Sequence, residues 1–248
     1  MNIAQCKFSS PWLGNQLFIY AFARAYAENH GFEFRCEPWM GERIFQLNDL
    51  PFLAGMTNRS DVELDKWDGE SNITINGYAQ RQPCLIYSRA DARRYFQFRP
   101  EIQALLNRVP TFEMCGHLRH GDYLGVPGFV AIKHESYCKA CSDYGFNPDD
   151  LHFVSQENAC VIPELTTMGL GFLPDFYQLM KAKILFRANS TFSWWAGTLG
   201  NAERIFSPNV EGILGSDGVL RDAPFCDGND ENFTNHCWFT TRLELREI

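Results

Sequence analysis

The sequence predicts an α/β protein assembled from parallel β/α units, and three observations lead to this fold class. Short apolar segments alternate with helical ones between residues 111 and 208, which is typical of strand–helix–strand repetition. The segment at residues 16–29 is apolar on nearly every side, which indicates a helix buried against a sheet. The length of 248 residues allows one large domain or two small lobes.

Composition and charge exclude several other classes of protein. Charged residues make up 21% of the chain and hydrophobic residues 45%, a balance that disordered chains lack. The net charge of −8 has the wrong sign for a protein that neutralises phosphates along a nucleic acid, so we expect no nucleic-acid partner. No apolar run approaches the roughly 20 residues that span a bilayer, and the first residues do not resemble a secretory signal.

Cellular location and redox state follow from the same observations. We expect a cytoplasmic protein without an integral membrane segment, and peripheral attachment to a membrane stays open. The nine cysteines are an odd number without a framework spacing, so we expect reduced thiols. Cys138 and Cys141 have the spacing of a zinc half-site, but no second pair follows at the spacing of a zinc finger, and we expect no metal site.

The first clear element is the predicted helix at residues 16–29. Asn15 is a candidate N-cap residue, and Gly31 is a candidate stop. The polar turn in front of this helix would lie at the mouth of a cleft, where ligands bind in open α/β sheets. The rest of residues 1–108 alternates irregularly between strand-like and helix-like pieces.

Residues 111–208 contain the cleaner alternation. The predicted strands lie at 111–119, 151–155, 183–188 and 204–207, and the predicted helices lie at 135–143 and 193–199. Residues 209–248 are rich in Gly, Asp and Asn, which predicts mostly loop, with 240–246 as a candidate closing element.

The strongest chemical signal is His-Leu-Arg-His-Gly-Asp-Tyr at residues 117–123, at the end of the first of these strands. Arg119 offers a planar set of donors that fits a diphosphate. His117 can donate to a base or to a sugar hydroxyl, and Asp122 can orient Arg119 through an ion pair. The alternative is a solvent-facing turn with an ordinary Arg–Asp pair.

Two further strand ends carry polar residues that suit a nucleotide. After the strand at 183–188, Asn-Ser-Thr-Phe-Ser at residues 189–193 leads into a helix, and amides at a helix N-terminus bind phosphate well when hydroxyls add donors. After the strand at 151–155, Glu157 is a candidate acceptor for the N–H groups of a purine edge. The alternatives are a simple helix cap for the first segment and a surface loop for the second.

Six stretches match one protein family in that family's order. They are Leu-Gly-Asn-Gln-Leu-Phe at 13–18, Tyr-Ala-Phe-Ala-Arg at 20–24, Ile-Asn-Gly-Tyr-Ala-Gln at 75–80, His-Leu-Arg-His-Gly-Asp-Tyr at 117–123, Phe-Val-Ser at 153–155 and Asn-Ser-Thr-Phe-Ser-Trp-Trp at 189–195. Through them the chain resembles the bacterial-type α-1,2-fucosyltransferases, within the superfamily that also holds the α-1,6 and protein O-fucosyltransferases. The resemblance covers roughly residues 3–210.

The resemblance implies an α/β fold of the GT-B type, with two Rossmann-like lobes that face a central cleft. Residues 1–110 would form the acceptor-side lobe and residues 111–248 the donor lobe. The implied activity is an inverting transfer of L-fucose from GDP-fucose to a hydroxyl of a galactoside or other glycan, in α-1,2 linkage. The family needs no metal and no cofactor, so the charge of the leaving group would be met by a guanidinium and a helix terminus.

The resemblance also implies roles for the matching residues. Arg119 and Asp122 would be catalytic. The donor would contact His117, Arg119, His120, Glu157, Asn189, Ser190, Thr191 and Ser193, and the acceptor would contact Asn15, Gln16, Tyr78 and Gln80. The general base stays open among Asp122, His120 and Glu135.

Three segments depart from the family's pattern. Pro11 and Trp12 replace two glycines, His120 replaces a second arginine, and the Ser-Gln-Glu at 155–157 replaces Ser-Asp-Asp. Two alternatives therefore stay open. One is the same fold with another nucleotide-sugar donor, and the other is a non-catalytic glycan- or nucleotide-binding protein on a decayed transferase scaffold.

Overall fold

The computed structural model describes residues 2–125, 129–210, 213 and 219–227 of the chain. These residues form two compact units, one within residues 1–100 and the other within residues 101–242. Each unit is built around its own sheet. The assignment of acceptor and donor roles to lobes divided at residue 110 stays a prediction.

The first unit contains a five-stranded, fully parallel sheet. Its strands are β1 (Ile3–Cys6), β2 (Glu33–Cys36), β3 (Leu50–Pro51), β4 (Thr57–Ser60) and β5 (Ile73–Asn76), in the order β3-β2-β1-β5-β4. The helices are α1 (Leu13–His30), α2 (Leu64–Trp67) and α3 (Arg89–Tyr95), and α4 (Pro100–Leu106) begins at the boundary between the units. The irregular alternation seen in the sequence is therefore a doubly wound sheet with short strands.

Helix α1 confirms the predicted buried helix and extends it at its start. Trp12, rather than the predicted Asn15, is the N-cap residue, because its carbonyl already accepts from the N–H groups of Asn15 and Gln16. No side chain caps this helix end. Gly31 ends the helix as predicted, with φ at +65° in the left-handed region that glycine adopts without strain.

The second unit contains four parallel strands and one antiparallel strand. The strands are β6 (Met114–His117), β7 (His152–Val154), β8 (Ile184–Phe186), β9 (Arg204–Pro208) and β10 (Phe225–Asp227), in the order β10-β9-β8-β6-β7. The helices are α5 (His134–Asp143), α6 (Pro163–Thr167), α7 (Leu173–Lys181) and α8 (Thr191–Leu199). Strand β10 pairs antiparallel with β9, and all the other pairs are parallel.

The predicted elements of residues 111–208 are confirmed, although β6, β7 and β8 are shorter than predicted and β9 is one residue longer. Helices α6 and α7 and strand β10 were not predicted. The closing element expected at 240–246 lies outside the described residues. No helix in the described ranges is long and apolar enough to cross a membrane.

Both sheets reverse their strand order at one point. In the first sheet the chain builds outward from β1 through β2 to β3, then crosses to β4 at the opposite edge and comes back to β5 beside β1. In the second sheet it passes from β6 to β7 and returns to β8 on the other side of β6. Ligands of open parallel sheets bind at such reversal points, outside the carboxyl ends of the strands. The loops after β1 and β5, and those after β6 and β8, therefore flank the two candidate crevices.

We predict that Ser88→Ala lowers the free energy of unfolding by about 1 kcal/mol. Ser88 Oγ accepts from the N–H of Asp91 at 3.0 Å, and the carboxylate of Asp91 accepts from the N–H of Ser88 at 3.0 Å, so the substitution breaks a capping box. Urea unfolding measures the loss. Ser142→Ala, which removes only a bond to a carbonyl within α5, is the control, and an equal effect of both substitutions would contradict the prediction.

Candidate active site

His117 is the last residue of β6, and its ring contacts the start of α8. The imidazole is buried, and its centroid lies 5.5 Å from the ring centroid of Phe192. The hydroxyl of Tyr137 donates to the His117 carbonyl at 2.7 Å. Burial, followed by the charges of Arg119 and His120, lowers the pKa of His117 to about 3. The imidazole is therefore neutral at physiological pH, and its Nδ1 has no hydrogen-bond partner among the described residues.

Arg119 is half-buried and lies beside an aromatic ring. Its guanidinium carbon is 5.2 Å from the ring centroid of Tyr123, which supports the planar group through a cation–π contact. Tyr123 belongs to the short 3-10 helix Gly121–Gly125. The backbone of Asp122 lies on the same turn, but its side chain lies outside the described part of the structure, so its predicted ion pair with Arg119 stays a prediction.

His120 and Gly121 hold the loop after β6 in place. Nε2 of His120 lies 2.9 Å from the carbonyl oxygen of Ile132, and because a carbonyl only accepts, this nitrogen carries the proton. Gly121 has φ at +25°, and a Cβ there would collide with the side-chain amide of Gln156. The loops after β6 and β7 therefore lie against each other at Gly121 and Gln156.

Glu157 lies in the loop after β7, as the sequence predicts, and its side chain is exposed. Its carboxylate accepts from its own backbone N–H and from the hydroxyl of Ser155. These hydrogen bonds, with a smaller contribution from the charge of His120, lower the pKa of Glu157. The carboxylate is thus ionised and available to accept from a donor-rich ligand edge.

The start of α8 carries the predicted hydroxyl groups, and two of them are already used within the loop. Ser190 caps the helix, since its Oγ accepts from the N–H of Phe192 at 3.3 Å. Ser193 is fully buried and donates to two backbone carbonyls at 3.3 and 3.4 Å. Asn189 is buried, and Thr191 is half-buried. Ser190 and Ser193 therefore shape the loop, and their direct contact with a phosphate stays a prediction.

A second arginine at this edge was not predicted as a site residue. Arg187 directly follows β8 and is buried, with its Nε donating to Ser207 Oγ at 2.7 Å. Burial raises the pKa of Tyr137, and the positive charge of Arg187 partly offsets this rise. The hydroxyl of Tyr137 in turn donates to the carbonyl of His117. The sequence contains one signal that could have identified Arg187 as a site residue, because it is a cation that directly follows an apolar strand.

The predicted acceptor residues gather at the carboxyl edge of the first sheet. Asn15 Nδ2 donates to Ser10 Oγ at 3.0 Å, and Gln80 Nε2 donates to Asn15 Oδ1 at 3.0 Å. Gln16 Nε2 donates to the carbonyl of Ser10 at 3.0 Å. Tyr78 lies in the same loop as Gln80 and is exposed. The structure thus joins the loop after β5 to the first turn of α1.

Two largely parallel α/β sheets, each with polar side chains beyond the carboxyl ends of the strands where the strand order reverses, place this protein among α/β proteins with two Rossmann-like units. Solved structures of fucosyltransferases share its fold. An α-1,6-fucosyltransferase NodZ soaked with GDP-fucose has a TM-score of 0.59 and 15% identity, over 91% of this chain and 99% of that chain. The fucosyltransferase NodZ from Bradyrhizobium has a TM-score of 0.57 and 15% identity, over 91% of this chain and 98% of that chain. The α-1,6-fucosyltransferase NodZ co-crystallised with GDP has a TM-score of 0.56 and 16% identity, over 86% of this chain and 97% of that chain.

The predicted GT-B-type α/β fold is confirmed by this likeness, which extends over both units. No protein-family model matches the sequence, and no curated protein matches it either. The roles of the individual site residues stay predictions.

We predict that the ring of His117 does not titrate between about pH 5 and pH 8, because its pKa lies near 3. Proton NMR follows the signals of the six histidines, and His117→Gln identifies the one that belongs to His117. The unfolded chain takes up this proton near pH 6.5 and the folded chain does not. The free energy of unfolding should therefore fall as pH drops below about 6.5, and fall less steeply in His117→Gln. A His117 signal that titrates near pH 6.5 would show the prediction to be wrong.

Proposed function

We propose that this chain is a fucosyltransferase that moves L-fucose from GDP-fucose to a hydroxyl group of a glycan. One observation carries the proposal: Arg119 and the N-terminus of α8 lie at one edge of adjacent parallel strands, joined by the contact between His117 and Phe192. A guanidinium and the amides of a helix N-terminus suit the charge of a diphosphate. The shared fold with fucosyltransferases, one soaked with GDP-fucose and another crystallised with GDP, supports this choice of donor.

In the proposed reaction, the acceptor hydroxyl oxygen forms a bond to the anomeric carbon of fucose, on the face opposite GDP. The bond from that carbon to the β-phosphate oxygen breaks, and its electron pair leaves with GDP. The hydroxyl proton passes to a general base, for which Asp122, His120 and Glu135 remain the candidates. The anomeric centre is inverted.

Stabilisation of the departing GDP is the main task that we assign to the protein. Arg119, the amides at the start of α8 and the buried Arg187 bring positive charge to this edge, and we propose that they serve the reaction without a divalent ion. Because His117 is neutral, its role in the proposal is hydrogen bonding near the nucleoside rather than charge neutralisation.

The proposed linkage follows from the sequence resemblance, which implies an α-1,2 bond to a galactoside. The structural neighbours named above include an α-1,6-fucosyltransferase, and likeness at 15% identity supports the fold rather than the linkage. Analysis of the product made from lactose and GDP-fucose distinguishes the two linkages.

Another nucleotide-sugar donor is the second candidate, and Gln156 with Glu157 is the observation behind it. Gln156 removes one carboxylate of the family's Ser-Asp-Asp pattern, which leaves the choice of donor open. The exposed, ionised carboxylate of Glu157 argues instead for guanine, which presents adjacent N–H donors on one edge. A non-catalytic binding protein is the third candidate, motivated by His120 in place of an arginine. Binding of GDP without transfer or hydrolysis of GDP-fucose would support it.

We predict that Arg119→Ala lowers the rate of fucosyl transfer by a factor on the order of 10²–10³, because one preorganised group that stabilises the leaving diphosphate is lost. The assay uses GDP-fucose and a glycan acceptor in the presence of EDTA. Arg108→Ala, which removes a half-exposed arginine paired with Glu164, is the matched control and should keep the native rate. The proposal fails if Arg119→Ala transfers fucose at the native rate.

We predict that GDP raises the melting temperature of the protein more than UDP or ADP does, because a ligand that binds only the folded state stabilises it. Glu157→Gln should reduce the preference for GDP, since one acceptor oxygen is lost while an amide donor is gained. Thermal-shift curves over a range of nucleotide concentrations measure both effects. Equal or larger stabilisation by UDP or ADP would favour the alternative donor.

A further inference from the structure

The adjacent strands β1 and β2 end on two cysteines whose sulfur atoms are in contact. Cys6 and Cys36 are partners in the parallel ladder of the first sheet, and their Sγ atoms lie 3.3 Å apart. We propose that these two thiols form a reversible redox pair, which a small disulfide such as oxidised glutathione converts into a disulfide that joins β1 to β2. This inference goes beyond the proposed function and does not depend on it.

The geometry of a parallel pair of strands permits this bond. Neighbouring strands in a sheet lie about 4.8 Å apart, which falls within the range of about 4.4–6.8 Å that separates the Cα atoms of protein disulfides. Because Cys6 and Cys36 are directly opposite each other in the register, their side chains project from the same face of the sheet. Their sulfur atoms already touch, so small rotations of the two side chains are sufficient to bring them to bonding distance.

Burial makes the two thiols slow to react in the closed fold. The Cys6 side chain has no exposed surface, and Cys36 is 3% exposed. Burial, followed by the hydrogen bond with Cys6 and the electrostatic effect of Cys6 and Asp49, raises the pKa of Cys36. Since the thiolate is the reacting form of a cysteine, the closed structure resists oxidation. The pair therefore reacts from a locally opened state, and brief exposure to an oxidant leaves it reduced.

Strand β3 provides the place where such opening begins. It contains only Leu50 and Pro51, and it forms the outer edge of the sheet beside β2. Pro51, the register partner of Cys36, has no N–H to donate to a neighbouring strand, and Leu50 is 43% exposed. Short edge elements with few buried contacts are the first parts of a fold to open. Loss of β3 leaves β2 as the edge of the sheet and brings Cys36 closer to solvent.

The exchange proceeds in two balanced steps. In the first, the thiolate of Cys36 attacks one sulfur of oxidised glutathione, so that a mixed disulfide forms, and one glutathione leaves with the electron pair and takes up the proton that Cys36 lost. In the second, the Cys6 sulfur gives up its proton and attacks the Cys36 sulfur of the mixed disulfide, and the second glutathione leaves as a thiol. Two protein thiols are thus oxidised to one disulfide, and one oxidised glutathione is reduced to two thiols. Dithiothreitol reverses the reaction.

The cross-link has a measurable consequence for stability. It closes a loop between Cys6 and Cys36 that contains the whole of α1. Such a loop restricts the unfolded chain and thereby stabilises the folded one. The bond also fixes the ends of β1 and β2, beyond which the rings of Phe8 and Trp39 stack with their centroids 5.0 Å apart. Oxidation should therefore raise the melting temperature by several degrees.

Peptide mass spectrometry on the full chain tests the proposal. The folded protein is equilibrated in buffers with increasing ratios of oxidised to reduced glutathione, the remaining thiols are alkylated in denaturant, and the peptides are analysed without reduction. We expect a linked pair of peptides that contains Cys6 and Cys36, with two hydrogen atoms fewer than the separate peptides, and its disappearance after treatment with dithiothreitol. The melting temperature of the same samples should rise with the linked fraction.

Three variants show whether this pair is responsible. Cys6→Ala and Cys36→Ala should each abolish the rise in melting temperature, whereas Cys115→Ala, which removes a fully buried cysteine of β6, should keep it. The linked peptides are measured in the wild type, so a variant that does not fold leaves the test intact. Recovery of both wild-type thiols in alkylated form, or only as mixed disulfides with glutathione, overturns the proposal. Linkage that forms only in the fully unfolded chain overturns it as well.

Discussion

Parallel pairing of β6 with β8 is the interaction on which the candidate site depends. Cys115 and Leu185 are partners in this ladder, so both strands end at the same edge of the sheet and the loops after them leave side by side. The contact between His117 and Phe192 is the direct result. In an antiparallel pair the two strands would end at opposite edges, and the end of β6 would not meet the start of α8.

In the first unit, the same parallel pairing of strands brings uncharged groups together. Parallel pairing of β1 with β5 brings together Asn15 and Gln80, which are 65 residues apart in the sequence. The two edges differ in character because one gathers arginines and helix amides, whereas the other gathers carboxamides and exposed aromatic rings. A doubly wound sheet supplies the geometry in both cases, and the side chains after each strand decide which chemistry it can serve.

Burial decides how charge is distributed at the edge of the second sheet. His117 is forced to be neutral because its imidazole is enclosed beside a cation. Positive charge is then concentrated on Arg119 and Arg187. The hydroxyls of Ser190 and Ser193 form hydrogen bonds with the backbone around α8. They therefore contribute mainly by ordering this loop rather than by adding donors for a ligand.

The sequence by itself determined the fold class, the buried helix α1 with its glycine stop, the four parallel strands of residues 111–208 and the segments that line the candidate sites. These follow from local periodicity and from the types of residue at strand ends, which need no knowledge of neighbours. Only the tertiary structure decided which strand lies beside which, that Trp12 rather than Asn15 begins α1, that Ser193 is buried and that Arg187 joins the site. The strand order and the bond between Arg187 and Ser207 depend on contacts between residues far apart in the chain, and no local pattern encodes such contacts. The start of α1 is set by backbone hydrogen bonds from Asn15 and Gln16 to the carbonyl of Trp12, which the types of side chain do not reveal.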